Sequence, residues 1–185
     1  IDQTKEIYKG YIYNRKFNRP KITLKIGCSL DSKISNKANS KFNITNKFSR
    51  YIVHLFRSEA DAILIGGNTV RIDNPKLNVR LMGLENFSPL RIILSKTLKF
   101  NFSSEVFKNC KKFPTIVFTV KTKKRKIQAL LKKEVRIIKL EEKNYNLKNI
   151  LEELSKLGIQ NLMVEGGSEI FTSFIKENFV DEIII

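Results

Sequence analysis

The chain has 185 residues, of which 42% are hydrophobic, so it can form one globular domain of ordinary size, and global disorder is excluded. No run approaches about 18 consecutive apolar residues, and the first residues lack a signal-peptide pattern, so we expect a cytoplasmic protein without a membrane-spanning helix. Two cysteines, Cys28 and Cys110, are too few for a disulfide framework or a zinc cluster, so no metal site is predicted.

Lysine and arginine residues number 35 against 18 aspartates and glutamates, which gives a net charge of +17. Such a balance fits a nucleic-acid-binding protein, an enzyme that attracts a small anionic substrate, or a surface of simply solvated lysines. The densest basic run is KTKKRK at 121–126, which is more typical of a solvated loop or a helix start than of a nucleic-acid site. Charge alone does not separate the three interpretations.

In the first half of the chain, residues 1–19 carry scattered aromatic side chains without a period, which predicts a linker or an extended arm. Apolar residues alternate with other residues over 22–28, as expected for a strand. Apolar side chains at helical spacing predict a helix over 46–60 that Asn46 is suited to cap. The run AILIGG at 62–67 predicts a buried strand that enters a glycine turn.

The second half of the chain continues this alternation of strands and helices. Such an order predicts an α/β domain with a largely parallel sheet and helices on its faces. A strand pattern at the last residue predicts that the sheet continues beyond residue 185. Strands are predicted at 91–94, 115–120, 135–140, 161–167 and 181–185, and helices at 123–133, 147–157 and 168–177.

Ligands of parallel α/β sheets bind at the carboxyl ends of the strands, so polar residues that directly follow strands are candidates for a site. Asp31 follows the first strand and either caps a turn or contacts a ligand, with the two interpretations about even. The stretch 68–80 offers Thr69 and Asp73 as hydrogen-bonding groups and Arg80 as a planar fork suited to phosphate. The alternative for this stretch is a long solvated loop with an Asx-Pro turn.

Two further candidates are VEGGSEI at 164–170 and Arg57 in the first predicted helix. Two glycines before a helix can present backbone N–H groups to an anion, although a plain tight turn gives the same pattern. Glu165 ends the strand and is placed to accept hydrogen bonds from a ligand amine or imide. For Arg57, a solvated surface arginine is the simpler interpretation.

Several catalytic machineries have no counterpart in the sequence. The only histidine, His54, has no partners for a Ser-His-Asp triad, and no GxxxxGK[ST] or GxGxxG motif is present. The His-x-Glu and Pro-Cys-x-x-Cys signature of zinc nucleobase deaminases is also missing. Hydride transfer fits better, because that chemistry belongs to a cofactor and requires mainly binding, orientation and shielding from the protein.

Four segments in a fixed order carry a family resemblance, and they are RPKITLKIGCSLDSKI (19–34), FRSEADAILIGGNTVRIDNPKLNVR (56–80), PLRIIL (89–94) and NLMVEGGSEIFTSFI to VDEIII (161–185). With them, the chain resembles the reductase domain of the bacterial bifunctional riboflavin-biosynthesis deaminase/reductase, RibD. The resemblance implies that residues 1–19 are a linker from a missing deaminase domain and that 20–185 form an incomplete reductase domain.

The resemblance also implies a fold and a reaction. The fold is similar to dihydrofolate reductase, a three-layer α/β sandwich with a mixed, mainly parallel sheet and helices on both faces. The reaction is the NADPH-dependent reduction of 5-amino-6-(5-phosphoribosylamino)uracil to its ribityl form, in which the ring opens to an imine, hydride reaches C1′ and a proton completes the amine. Expected partners are this phosphorylated pyrimidine, a covalent upstream deaminase domain and further copies in a homodimer or higher homo-oligomer, with no nucleic acid and no membrane.

Matched positions assign roles to individual residues. The implied substrate contacts are Arg57, Leu77, Arg80 and Glu165. The implied cofactor contacts are Cys28, Thr69, Asp73, Ser95, Gly166, Gly167, Ser168, Glu169, Ile170 and Phe171. Asp31 is a candidate catalytic group near the reacting carbon.

The chain departs from the family pattern at three places. Ser32 replaces the glycine of the usual SLDG, and residues 40–45 are SKFNIT where the family usually has SKWIT, which leaves Ser40, Lys41 and Asn43 unassigned. Ser95 follows RIIL where the family often has Asp, a change that bears on cofactor preference without giving its direction.

Two alternative functions belong to other classes. A related reductase of the same fold that acts on another pyrimidine or pteridine is compatible with the arginines, which favour a phosphorylated substrate but do not name the base. A basic nucleic-acid-binding module is motivated only by the charge of +17. Such a module would cluster Lys and Arg with aromatics on one face, whereas the polar loops here follow strand ends, so the reductase is favoured.

Overall fold

The structure is a computed structural model that describes residues 8–34, 44–120 and 123–185. Within these ranges the chain forms seven strands and six helices. The strands are β1 (Lys21–Lys25), β2 (Ala62–Gly66), β3 (Leu90–Leu94), β4 (Thr115–Thr119), β5 (Arg136–Lys139), β6 (Asn161–Gly166) and β7 (Glu182–Ile184). The helices are α1 (Lys9–Phe17), α2 (Lys47–Glu59), α3 (Gly67–Asp73), α4 (Lys124–Leu131), α5 (Leu147–Lys156) and α6 (Ser168–Lys176).

The strands form one sheet in the order β5-β4-β3-β2-β6-β1-β7. Every strand pair among the described residues is parallel, so the sheet is parallel there rather than mixed. The predicted α/β class with a largely parallel sheet is confirmed. Because all strands run in one direction, their carboxyl ends meet at one edge of the sheet, as ligand sites in such folds require.

Two hydrophobic cores lie on the two faces of the sheet. On one face, α5 and α6 pack against strand residues such as Leu64 and Ile92. On the other face, α3, α4 and the segment 98–110 pack against the neighbouring residues Ile63 and Ile93. Successive strand side chains point to opposite faces, so a central strand that is covered twice must be apolar throughout. The result is the three-layer arrangement expected from the family resemblance.

The helix signals in the sequence are mostly confirmed. The Asn46 side chain caps α2 by accepting a 2.8 Å hydrogen bond from the backbone N–H of Ser49. Asn146 caps α5 in the same way, with a 2.9 Å bond from Asn149. None of the helices in the described ranges is long and apolar enough to span a membrane.

The prediction of an extended arm is wrong for Lys9–Phe17, which form α1. Gly10 is the only buried residue that the structure describes in this helix, so the helix needs no apolar stripe. Gly10 is buried against the side chain of Asn161, and Asn14 donates a 3.1 Å hydrogen bond to the carbonyl of Ile159. Without an apolar period, the sequence gives no helical signal here.

The alternative of a long solvated loop after AILIGG is also wrong for the first half of that stretch, because Gly67–Asp73 form α3. This short helix buries one side chain, Val70, so its sequence shows no helical hydrophobic period. The helix changes the geometry of the site. It places Thr69 and Asp73 four residues apart, on the same side of a helix that starts at the carboxyl end of β2.

Candidate active site

A cavity of about 1250 Å³ lies at the carboxyl ends of β1, β2, β3 and β6. Pockets for a single small ligand typically measure about 300–1,000 Å³, so this cavity can hold a cofactor and a substrate together. Every residue predicted as a cofactor contact lines it, from Cys28 after β1 to Phe171 in α6. Leu77 and Glu165, two of the four predicted substrate contacts, line it as well.

The centre of the cavity is a close approach between the turns that follow β2 and β6. Gly167 has φ 88°, a conformation that favours glycine, and a Cβ there would lie 3.2 Å from Thr69 Oγ1. A Cβ on Gly67 would lie 2.9 Å from Ser95 Oγ, so the loop after β3 meets the same turn. Gly167 immediately precedes α6, whose first N–H groups have no partner within the helix. Backbone donors at a positive helix end, in a turn of glycines without side chains of their own, suit a phosphate group.

A buried ion pair lies beside this turn. Arg57 Nε and Nη2 donate to Glu165 Oε1 and Oε2 at 2.6 and 2.7 Å, and Nη1 donates to the carbonyl of Asn78 at 3.2 Å. Lys25 Nζ lies 3.8 Å from Glu165 Oε2. Burial raises the pKa of Glu165, but Arg57 and Lys25 outweigh it and the net direction is below 4.5, so the carboxylate is ionised.

Arg57 and Glu165 are placed differently with respect to the cavity, although both are predicted as substrate contacts. Glu165 lines the cavity, whereas Arg57 lies behind it and is not among the lining residues. Arg57 therefore acts on the cavity by fixing both carboxylate oxygens of Glu165 in one geometry. The sequence could not show this, because the two residues are far apart in the chain and each looked like an independent contact.

The remaining predicted substrate contacts are placed differently from each other. Leu77 lines the cavity and, at 2% exposed, is also part of the core beneath it. Arg80 is exposed, does not line the cavity, and donates a 3.0 Å hydrogen bond to Asn78 Oδ1. Arg57 and Arg80 both donate to Asn78, so the two guanidinium groups lie close together. The part of Arg80 that is shielded from water, and then the charge of Arg57, lower the pKa of Arg80.

Asp31, the predicted catalytic residue, lies apart from this cluster. Its exposed carboxylate accepts a 2.5 Å hydrogen bond from Ser29 Oγ and pairs with Lys33 Nζ at 2.6 Å. The hydrogen bond from Lys33 lowers the pKa of Asp31 most strongly. Ser32 has φ 60°, the left-handed conformation for which the family's glycine is better suited. Asp31 does not line the cavity, and Ser40, Lys41 and Asn43 fall outside the described residues.

Several lining residues were missed by the sequence analysis. Lys25 is one of the polar residues in the alternating pattern of the first strand, and its position at the carboxyl end of β1 is itself a signal. Lys96 and Lys99 follow β3, where the same rule identifies them. Tyr145 also lines the cavity, but nothing in the sequence around it indicates this.

The match to a known family agrees with this geometry. A sequence profile described as the RibD C-terminal domain matches residues 20–185. The chain belongs to the RibD C-terminal domain family. The expected resemblance is therefore confirmed, and the matched range contains every strand of the sheet and every residue of the cavity described above.

Relatives of the RibD C-terminal domain family differ in length. The chain is 41% identical over 184 residues to the riboflavin biosynthesis protein RibD of Aquifex aeolicus, covering 100% of this chain and 50% of that protein. It is 32% identical over 170 residues to the 2,5-diamino-6-ribosylamino-4(3H)-pyrimidinone 5′-phosphate reductase of the same species, covering 89% of this chain and 75% of that protein. The chain thus spans about half the length of the RibD relatives.

A solved structure supports the fold. Acinetobacter baumannii RibD superimposes with a TM-score of 0.85 at 24% identity, over 98% of this chain and 49% of that chain. At this identity the likeness concerns the fold alone, and it confirms the dihydrofolate-reductase-like α/β sandwich.

Proposed function

We propose that the chain catalyses the NADPH-dependent reduction of a phosphoribosylaminopyrimidine to the corresponding ribityl compound, with 5-amino-6-(5-phosphoribosylamino)uracil as the substrate. The proposal rests mainly on one structural observation. A single cavity joins a glycine turn suited to a dinucleotide phosphate with a fixed, ionised carboxylate suited to a pyrimidine. The name of the pyrimidinone 5′-phosphate reductase, a relative of which the chain covers 75%, supports the same reaction class.

The residues around the glycine turn fit a dinucleotide cofactor. The space that a Cβ on Gly167 would occupy lies against Thr69, so only a side chain as small as hydrogen keeps the turn open. Thr69, Asp73 and residues 166–171 would hold the cofactor, and Cys28 would border it from β1. When bound, NADPH supplies the hydride that reduces C1′ of the sugar.

Glu165 and Lys25 are the protein side chains to which we assign pyrimidine binding and proton transfer. The ionised Glu165 accepts hydrogen bonds from pyrimidine N–H groups, and Arg57 holds its two oxygens in place for that purpose. Reduction of an imine needs a proton at nitrogen as well as a hydride at carbon. The Lys25 ammonium lines the cavity beside Glu165 and is the group that we assign to deliver this proton.

Arg80 is assigned to the substrate phosphate. Its guanidinium group shares Asn78 with Arg57 as a hydrogen-bond partner, and its exposed position suits a phosphate at the end of a flexible sugar chain. Because the RibD relatives are about twice as long as the matched region, we also propose that the complete protein carries a deaminase domain upstream. We further propose that the complete protein assembles as a homodimer or higher homo-oligomer in the cytoplasm.

The experiment follows NADPH oxidation by the full-length gene product with the phosphoribosylaminouracil and its undeaminated precursor in parallel. We expect turnover of the deaminated compound. The precursor is the second candidate substrate, because a relative bears the name of a reductase of the diaminopyrimidinone. Turnover of the precursor alone would reverse the order of reduction and deamination, and turnover of neither compound would refute the substrate class.

A further inference from the structure

Asn78 contacts both Arg57 and Arg80, and it does so through different atoms. Its backbone carbonyl accepts the 3.2 Å hydrogen bond from Arg57 Nη1, and its side-chain Oδ1 accepts the 3.0 Å hydrogen bond from Arg80 Nη1. Arg57 in turn holds both carboxylate oxygens of Glu165. The group assigned to the substrate phosphate and the group assigned to the pyrimidine are therefore joined by one continuous chain of hydrogen bonds, with Asn78 at its centre.

The backbone of Asn78 is fixed from both sides. Its neighbours Leu77 and Val79 are 2% and 1% exposed, so they anchor this segment in the interior. The N–H group of Val79 also donates a 3.0 Å hydrogen bond to Ser88 Oγ, and that hydroxyl donates a 2.9 Å hydrogen bond to the carbonyl of Glu85. Because close-packed neighbours resist displacement, the Asn78 side chain projects from a fixed point.

Arg80, in contrast, is exposed, and an unrestrained arginine side chain samples many rotamers. The hydrogen bond to Asn78 Oδ1 restricts these rotamers and uses only Nη1. No other residue in the described ranges forms a hydrogen bond to this guanidinium group. Its Nε–Nη2 edge can therefore bind a phosphate in the two-point geometry in which Arg57 holds Glu165. A group that is oriented before the ligand arrives binds it with a smaller loss of entropy.

Resting on the proposed function, we propose that Asn78 is a positioning residue that couples binding of the substrate phosphate at Arg80 to placement of the pyrimidine at Glu165. Asn78 does not line the cavity, so it acts through the two arginines that it binds. Binding energy from the phosphate, which does not react, is then used to orient the base and the reacting carbon. The phosphate therefore raises the rate of hydride transfer as well as the affinity.

The first test compares the phosphoribosylaminopyrimidine that the wild type reduces with its dephosphorylated form, in single-turnover NADPH oxidation by the full-length gene product at saturating substrate. We expect the phosphorylated compound to react about tenfold faster or more in the wild type. Asn78→Ala removes only the side-chain acceptor, because Arg57 binds the backbone carbonyl. It should slow the phosphorylated compound by about fivefold to tenfold and leave the rate for the dephosphorylated compound unchanged.

The two compounds separate a positioning role from a general effect on the structure. If Asn78→Ala slows both compounds equally, Asn78 only maintains the local fold and the positioning role is wrong. Unchanged rates for both compounds would also overturn it, as would a wild type that reduces both equally fast. If the wild type reduces no phosphoribosylaminopyrimidine, the proposed function itself fails, which is a distinct outcome from an unchanged ratio of rates.

Asn68→Ala is the matched control. Arg71 Nη2 donates a 3.1 Å hydrogen bond to Asn68 Oδ1, so this variant removes the same kind of acceptor from another arginine at the same cavity. Both residues lie on α3, beside the assigned cofactor contact Thr69. We expect the control to keep the wild-type ratio of the two rates. An equal fall of this ratio in both asparagine variants would contradict the specific role of Asn78.

The second test asks whether Asn78 acts through Arg80. Arg80→Ala should remove most of the rate difference between the two compounds, because it deletes the assigned phosphate contact itself. Adding Asn78→Ala to this variant should then change either rate by less than about twofold, since no guanidinium group is left to position. A further loss of about fivefold in the double variant would show that the two residues act independently, and it would overturn the proposal.

Discussion

Two buried arginines lie at opposite edges of the same sheet, and they are held by different kinds of partner. Arg57, at the carboxyl edge, forms two hydrogen bonds to the carboxylate of Glu165. Arg91, near the start of β3, is 1% exposed and donates to the carbonyls of Lys76 and Phe113 and to Cys110 Sγ. Burial lowers the pKa of Arg91 to about 10, because no carboxylate offsets the cost of the buried charge.

The comparison shows what distinguishes a functional cation from a structural one in this fold. Arg91 binds the backbone carbonyls of Lys76 and Phe113, so it ties loops together, and it does not line the cavity. A guanidinium group that binds a carboxylate fixes the direction of that carboxylate, which then faces the cavity. Arg91 therefore stabilises the amino edge, whereas Arg57 organises the site.

The largest expected effect follows from breaking the pair at the carboxyl edge. Arg57→Met leaves the Glu165 carboxylate buried without its main partner, so we expect a loss of about 3–5 kcal/mol in the free energy of unfolding. The double variant Arg57→Met/Glu165→Gln removes the stranded charge and should recover most of this loss. Urea denaturation of the three proteins measures both values, and an equally unstable double variant would contradict the argument.

A smaller loss of stability is expected at the amino edge. Arg91→Met leaves the carbonyl of Lys76 without its side-chain donor and that of Phe113 with only the Thr115 hydroxyl, but it also removes a buried charge, so we expect a loss of about 2 kcal/mol. The dissociation constants for substrate and NADPH should stay the same, because no atom of Arg91 reaches the cavity. If Arg91→Met weakened ligand binding and left the free energy of unfolding unchanged, the structural role of Arg91 at the amino edge would be contradicted.

A pair of threonines tests the same contrast with one hydroxyl at each edge. Thr69→Val should weaken NADPH binding by about fivefold, since a hydrogen bond contributes about 1 kcal/mol, with little change in stability. Thr115 is 1% exposed, and its hydroxyl donates to the carbonyls of Phe113 and Val106 at 3.2 and 3.4 Å. Thr115→Val should lower the free energy of unfolding and leave NADPH binding unchanged. Fluorescence titration measures NADPH binding in both variants, and urea denaturation measures their free energies of unfolding.

A pH dependence near Arg57 tests the same edge of the sheet without changing Arg57 itself. Burial, and then the charges of Arg57 and Arg80, lower the pKa of His54 from 6.5 to about 4. The folded state favours the neutral imidazole, so its contribution to stability is complete above pH 6.5 and is lost as the pH falls towards 4. His54→Gln should flatten the fall in the free energy of unfolding over this window. Denaturation series at about pH 7 and about pH 5 measure the change in slope.

The sequence predicted the parallel sheet well because a strand covered on both faces must be apolar throughout, as Ala62–Gly66 is. It also placed most of the cavity, since the loops at carboxyl strand ends can be identified once the strands are known. α1 and α3 were missed because they bury few apolar side chains. The pairing of Arg57 with Glu165 was missed for another reason. It depends on which strands become neighbours, and hydrophobic periodicity carries no such information.

The position of β1 inside the sheet has a consequence for the order in which the domain folds. In the described structure β1 pairs with β6 and β7, and its register with β6 runs from Lys21 and Asn161 onward. Since β1 precedes β6 and β7 by more than 130 residues in the chain, it must wait for them before its ladder can close. Contacts of such long sequence separation are slow to form, so an apolar strand stays exposed during synthesis. The cavity itself, which needs β1 and β6 side by side, becomes available only once this pairing has formed.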